Sequence, residues 1–172
     1  ITVYSIDINH IQKITSLELP ENTEPRHIAI YNNTIFLITE RSCMLYVLEF
    51  KNNKLQILNK ISIFPDNYIK KDSNTGAAIK ISKDGKFIYL SIRGHNSISV
   101  FKYENKNIKF IQNISLQGQT PRDIEIDKTQ NYLFVACQDS DEIEILKRNI
   151  CTGKLEYINS FKVPSPTCIL CD

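Results

Sequence analysis

The sequence predicts an all-β fold made of repeated four-stranded sheets, and three observations carry that reading. Helical periodicity is nearly absent along the 172 residues, whereas short β-branched and aromatic runs of alternating polarity recur throughout. Three of these runs share one pattern, residues 35–40 (IFLITE), 88–93 (IYLSIR) and 133–138 (LFVACQ), and they start 53 and 45 residues apart. Spacing of that size marks the blades of a β-propeller. Between runs lie Asn-Asn and Asp-Gly pairs, which suit tight antiparallel turns because they tolerate positive φ.

Each unit divides into four strands, a to d. In the first, residues 27–31 turn at Asn32 and Asn33 into 34–39, followed by 44–50 and 54–62. The second runs 77–82, turns at 83–86 (KDGK), and continues as 87–92, 97–103 and 108–115. The third runs 122–126, turns at 127–130 (DKTQ), and continues as 132–137, 142–147 and 154–161. The full blades are thus expected over residues 25–62, 76–116 and 120–162.

The ends fit the same template. Residues 1–7 and 10–17 match strands c and d of the first unit at a constant offset of 44, so residues 1–19 are expected to be the outer strands of a blade. Residues 163–172 read as the start of a further one. The whole chain, 1–172, is then a single domain of three full blades with partial blades at both ends. Ring closure takes about four to eight blades. The rest of the propeller is therefore expected on the same gene product, on a second chain or on a second copy.

Composition narrows the functional classes. Apolar residues at 42% and charged ones at 23% are an ordinary globular balance. The net charge of +2 comes from 21 basic and 19 acidic residues without the clustered cations that a nucleic-acid partner demands. Apolar runs such as 35–38 and 87–90 fall far short of the roughly 18–20 residues that span a bilayer, so no membrane partner is expected. The N-terminus lacks the basic region, apolar run and cleavage site of a secretory signal. The five cysteines include one CxxC, Cys168 to Cys171, which lacks the second half of a zinc site. They read as reduced structural thiols in a cytoplasmic protein, with no metal and no cofactor.

In a propeller whose strands run outward from the axis, the d-to-a and b-to-c connections open on one face. There fall Arg26, His27, Glu40, Arg41, Arg93 and His95, followed by Arg122, Asp123, Gln138 and Asp139. The opposite face collects generic turn residues. Arginine grips phosphate or carboxylate with a planar fork and offsets oxyanion charge as an ester carbonyl becomes tetrahedral. Histidine or glutamate deprotonates the attacking water. Each group also has a structural reading: Arg26 and Arg122 as loop anchors, and His95 as a capped turn residue. Asp139 then serves as a turn former, and Glu40 with Arg41 as a surface ion pair.

At these rim motifs the sequence resembles the seven-bladed propeller lactonases, a family that includes bacterial 6-phosphogluconolactonases and carboxymuconate cyclases. The resemblance is carried by Pro25-Arg26-His27, Ala77-Ala78-Ile79, residues 84–89 (DGKFIY), Arg93-Gly94-His95-Asn96, Thr120-Pro121-Arg122-Asp123, Gln138-Asp139 and residues 163–166 (VPSP). It implies a protein about twice this length with the present chain as its C-terminal half. It further implies metal-independent hydrolysis of 6-phosphogluconolactone in the pentose phosphate pathway. A small anionic sugar lactone is the expected ligand. Arg93 and Arg122 would hold the anion and the developing oxyanion, while His27 with Glu40 activates water. Arg26, His95, Gln138 and Asp139 would complete the binding rim. Departures are Lys80, where family members often carry His, and the turn Ser82-Lys83-Asp84-Gly85 in place of Ser-Pro-Asp-Gly. A carboxymuconate cyclase-like enzyme and a non-catalytic binding propeller are the alternatives.

Overall fold

The computed structural model describes residues 1–171, and apart from one short 3-10 turn at Gln138–Ser140 its regular structure is all strand. Three four-stranded antiparallel sheets follow one another along the chain. The first contains β3 (Pro25–Tyr31), β4 (Thr34–Thr39), β5 (Met44–Lys51) and β6 (Lys54–Ser62). The second contains β7 (Thr75–Ile81), β8 (Phe87–Arg93), β9 (Ser97–Glu104) and β10 (Asn107–Ser115). The third contains β11 (Pro121–Ile126), β12 (Tyr132–Cys137), β13 (Glu142–Arg148) and β14 (Leu155–Lys162). Ahead of them stand β1 (Thr2–Asp7) and β2 (His10–Ser16), a two-stranded sheet. Residues 163–171 adopt no regular strand; residue 172, the end of the segment read as a further blade, lies outside the described residues.

The sheets are held face to face by side chains at alternate strand positions, as the period of two requires. Phe36, Ile38, Leu45 and Val47 of the first sheet bury against Ile79, Ile88, Leu90 and Ile92 of the second. The opposite face of the second sheet, with Ala78, Phe87, Tyr89, Ile98 and Val100, buries against Ile124, Leu133, Val135 and Leu146 of the third. Leu37, Tyr46 and Leu48 turn the other way, toward Ile1, Leu17 and Leu19 beside the two-stranded sheet. The inner strands β3, β7 and β11 lie side by side, so the sheets fan like the blades of a propeller.

At the end of the blades opposite the arginine-rich connections, a buried arginine ties β8 to two turns. Arg148 is 3% exposed, lies over the Phe87 and Tyr89 rings, and donates from Nε to the Tyr89 hydroxyl at 2.6 Å and from Nη1 to the Gln130 carbonyl at 2.6 Å. Tyr89 passes the chain on by donating to the Gly153 carbonyl at 3.0 Å. Burial pushes the phenol up to about 12, so it stays a neutral donor.

Tyr89→Phe leaves the Arg148 Nε–H and the Gly153 carbonyl buried without their partner. It is expected to lower stability by about 1–3 kcal/mol with little change in the urea m-value. Equilibrium urea unfolding followed by circular dichroism measures it.

Candidate functional site

The arginine-rich end of the blades is built from backbone irregularities. In each sheet the pairing of the inner strand with the next one slips near its start: between Pro25 and His27, between Gly76 and Ile79, and between Pro121 and Asp123. Arg26 and Arg122 are the extra residues of the first and third slips. A bulge bends the strand and re-aims its side chain, and here it turns both guanidiniums to the rim. The second slip carries Ala77 and Ala78, and the Ala77 carbonyl accepts a hydrogen bond from Arg26 Nη1.

The outgoing ends of β4, β8 and β12 supply equivalent positions, occupied by Glu40, Arg93 and Gln138. Glu40 bridges two blades. One carboxylate oxygen lies 3.4 Å from Arg26 Nε, and the other accepts from Arg93 Nη2. Arg122 Nη1 donates to the Gln138 side-chain oxygen at 3.0 Å. Burial, then Arg93, and more weakly Arg122, push the Arg26 pKa down, while Glu40 opposes them. Arg93 Nε is buried without a hydrogen-bond partner.

His27 is solvent-exposed at the residue level, and its ring nitrogens lie 3.3 and 3.4 Å from Arg26 Nη1. Partial desolvation and the Arg26 charge push its pKa below the ordinary 6.5, which favours the neutral imidazole. No hydrogen bond joins His27 to Glu40 among the described residues, because both Glu40 oxygens go to guanidiniums. Glu40 therefore organises the arginines. Nor does it pair with Arg41, which reaches Glu24 at 3.5 Å on the exposed surface.

Two expected rim residues are held by local partners. His95 bonds Ser97 Oγ at 2.6 Å, and its ring packs edge-on to Tyr68 at 4.5 Å and Phe64 at 5.5 Å. Asp139 accepts from Thr120 Oγ1 at 2.5 Å and is exposed. Asp123 is buried and accepts the Ile169 N–H at 3.0 Å. On the inner strands, Lys80 pairs with Glu125 at 2.5 Å and adds a further cation to the surroundings of His27.

Sequence reasoning missed the residues that set these positions. Gly76 receives its neighbour so closely that any Cβ would clash with the Thr39 carbonyl oxygen, and its N–H donates to the Glu40 carbonyl at 2.9 Å. Glu144 is fully buried and accepts the Gly118 N–H, which anchors the loop leading to Arg122. Burial pushes the Glu144 carboxyl pKa up, and burial first, then Glu144, pushes the adjacent Cys137 thiol up to about 12. Motif matching carries no sign of these support roles, although a Gly at the start of an inner strand is a signal of close backbone approach. Among the described residues no group of His, Cys, Asp and Glu side chains is arranged to hold a metal ion. Nor, among the described residues, is any helix long and apolar enough to cross a membrane.

Blades of four strands fanned around an axis, with charged side chains gathered at one mouth, define the β-propeller class. The sequence profile described as "Lactonase, 7-bladed beta-propeller" matches residues 1–171, and the chain belongs to that family. A protein of Lactococcus lactis subsp. cremoris with no assigned function is 33% identical over 99% of this chain and 52% of its own length. A 6-phosphogluconolactonase of Bacillus subtilis is 30% identical over 84% of this chain and 43% of its own. A crystal structure of a Lactobacillus plantarum protein superposes with a TM-score of 0.91 at 28% identity, covering 97% of this chain and 50% of that one. A periplasmic gluconolactonase of Pseudomonas aeruginosa shares the fold, with a TM-score of 0.82 at 24% identity over 88% of this chain and 43% of that one. The chain thus spans about half the length of the curated relatives it matches.

His95 has its pKa lowered by burial and then by Lys71, so its folded value lies below the ordinary 6.5 of an unfolded chain. A group depressed in this way contributes stability that is present above the unfolded pKa and lost as pH falls through the folded one. Urea unfolding is expected to show stability falling as pH drops below 6.5. In the His95→Gln variant that slope is shallower. Proton NMR titration of the imidazoles should place His27 and His95 below a free histidine; ordinary values would contradict the assigned environments.

Proposed function

We propose that the intact protein is a lactonase-like hydrolase that opens an anionic sugar lactone, with 6-phosphogluconolactone as its substrate. The observation that carries this reading is the convergence of Arg26, Arg93 and Arg122 at one mouth, with Glu40 the one carboxylate bonded to any of them among the described residues. The surplus positive charge suits a phosphorylated ligand and the oxyanion of ester hydrolysis. Family membership and likeness to the Bacillus subtilis enzyme support the same choice.

In the proposed reaction His27, neutral because its pKa is depressed, takes a proton from water as the water oxygen bonds to the lactone carbonyl carbon. The carbonyl π electrons move to oxygen, where Arg93 or Arg122 stabilises the negative charge. Collapse re-forms the carbonyl and breaks the ring C–O bond, and the proton returns to the departing oxygen. Glu40 keeps Arg26 and Arg93 from spreading apart, and Gln138 holds Arg122. With phosphogluconolactone as substrate, the pentose phosphate pathway and the cytoplasm are the setting, and reduced thiols agree with that compartment.

The test is a coupled assay of 6-phosphogluconolactone consumption by the intact protein, above the spontaneous rate. Arg93→Ala and Arg122→Ala are each expected to lower kcat/KM about 10²–10³-fold. Wild-type rates for both would remove the assignment, and no acceleration by the unmutated protein would leave a binding propeller. His27→Gln is expected to abolish the acidic limb of the pH profile, because the neutral imidazole that accumulates as pH rises is the proposed base.

A further inference from the structure

The connection from the first full blade to the second differs from the one that follows it. Both leave a fourth strand on the arginine-rich side and begin with the same contact, Ile63 N–H to the Cys43 carbonyl at 3.2 Å and Leu116 N–H to the Asn96 carbonyl at 2.9 Å. Yet residues 63–74 take seven more positions than residues 116–120 to reach the next inner strand. In a repeat scaffold, a connection extended in one unit is a common seat of recognition.

The added residues fold into a fixed hook. Asn74 is 1% exposed, and its side-chain oxygen accepts the Tyr68 hydroxyl and the Lys71 N–H, both at 2.9 Å. Its own N–H donates to the Lys71 carbonyl at 3.0 Å. Tyr68 stacks on Phe64 and meets the His95 ring edge-on. The hook also presses on the turn after Arg93: Gly94 takes a φ of +74°, and the Ser73 carbonyl oxygen stands within 2.2 Å of where its Cβ would be.

The tip carries Lys70 and Lys71, both exposed and neither paired with a carboxylate among the described residues, whereas Lys80, Lys86, Lys102, Lys106 and Lys162 each have one. The Lys70 ammonium reaches the Lys71 carbonyl at 3.3 Å. Both charges act toward the rim. Burial pushes the Cys43 thiol pKa up, and Lys70 opposes it ahead of Arg93; burial and then Lys71 hold the His95 pKa down. His95 offers a fixed donor beside them. The Ser97 hydroxyl is 0% exposed and accepts from Asn113 Nδ2 at 2.9 Å, so its proton goes to its other partner, His95 Nδ1 at 2.6 Å. With Nδ1 accepting, the neutral ring carries its hydrogen on Nε2, which has no protein acceptor among the described residues.

We propose that the tip of the β6–β7 connection is a phosphate subsite, in which Lys70, Lys71 and the His95 Nε2–H hold the phosphomonoester group of a phosphorylated sugar. The inference rests on the proposed lactonase reading and divides its labour: the hook grips the phosphate, which leaves Arg93 and Arg122 to the lactone carbonyl. Arg93 and His95 are two residues apart, at most about 7 Å between Cα atoms, a span that the carbon chain of a hexose bridges. Two ammoniums and a neutral N–H match the charge and the three oxygens of a phosphate dianion. A carboxylate would offer a single charge and two oxygens.

The test reads binding and turnover separately in the intact protein. 6-Phosphogluconate is expected to raise the midpoint of the His95 titration, followed by proton NMR, by about one pH unit, because a neighbouring dianion favours the imidazolium. Gluconate is expected to leave it in place. Lys70→Ala combined with Lys71→Ala should weaken 6-phosphogluconate binding about tenfold, and lower kcat/KM for 6-phosphogluconolactone about tenfold more than for gluconolactone. A His95 midpoint that 6-phosphogluconate leaves unmoved, or equal losses on the two lactones, overturns the proposal. So does inorganic phosphate that moves His95 at lower concentration than 6-phosphogluconate, which would assign the hook to the free ion. If the intact protein opens neither lactone, the hydrolase reading falls by itself, and the His95 titrations with 6-phosphogluconate and gluconate still decide the subsite.

Discussion

The structure depends on how closely one sheet can lie on the next. Phe36 and Ile38 press on Ile79 across the first interface, and Phe87 and Tyr89 press toward Ile124 across the second. Interiors of this kind pack at crystal-like density, so the spacing has little slack. At the rim that spacing becomes chemical. Gly76 permits the second blade to reach the Thr39 carbonyl, and the resulting approach lets a single carboxylate, Glu40, serve guanidiniums from adjacent blades. Any side chain at position 76 would push the blades apart where the arginines converge.

Gathering like charges opposes stability, and the molecule offsets this locally rather than avoiding it. Arg26 is depressed by burial and by its arginine neighbours, Arg93 keeps a buried donor without an acceptor, and only Glu40 lies between them. The opposite end of the blades is arranged differently. There Arg148 is also buried, but its donors meet a phenol and a carbonyl and its flat faces meet aromatic rings. One end places arginine to hold turns together; the other sets guanidiniums of adjacent blades around Glu40. Departure from local satisfaction is where function is usually found.

Much of the architecture was legible because a period-two pattern repeated at blade spacing has few other physical outcomes. The convergence of Arg26, Arg93 and Arg122 on one face followed from strand direction alone. Pairings within that face did not. Glu40 and Arg41 are adjacent in sequence yet bind different partners, because both lie in the connection after β4, where no strand alternation fixes their direction. His95 sits in a motif rich in polar residues, but the aromatic pair Phe64 and Tyr68, some 30 positions away in sequence, captures its ring. Glu144 lies in an ordinary alternating strand, and its anchoring of the Gly118 loop depends on a backbone N–H that no side-chain motif announces.

The slips in strand pairing separate the rim from the core. Each full blade carries one extra residue next to the axis, at Arg26, at Ala77 with Ala78 opposite Ser91, and at Arg122. Arg26 and Arg122 are only half-buried and stand outside the alternation that governs the core, whereas Ala77 and Ala78 are fully buried. On the proposed function, exchanging Arg26 or Arg122 changes the charge offered at the mouth while the apolar contacts that stack the blades stay in place.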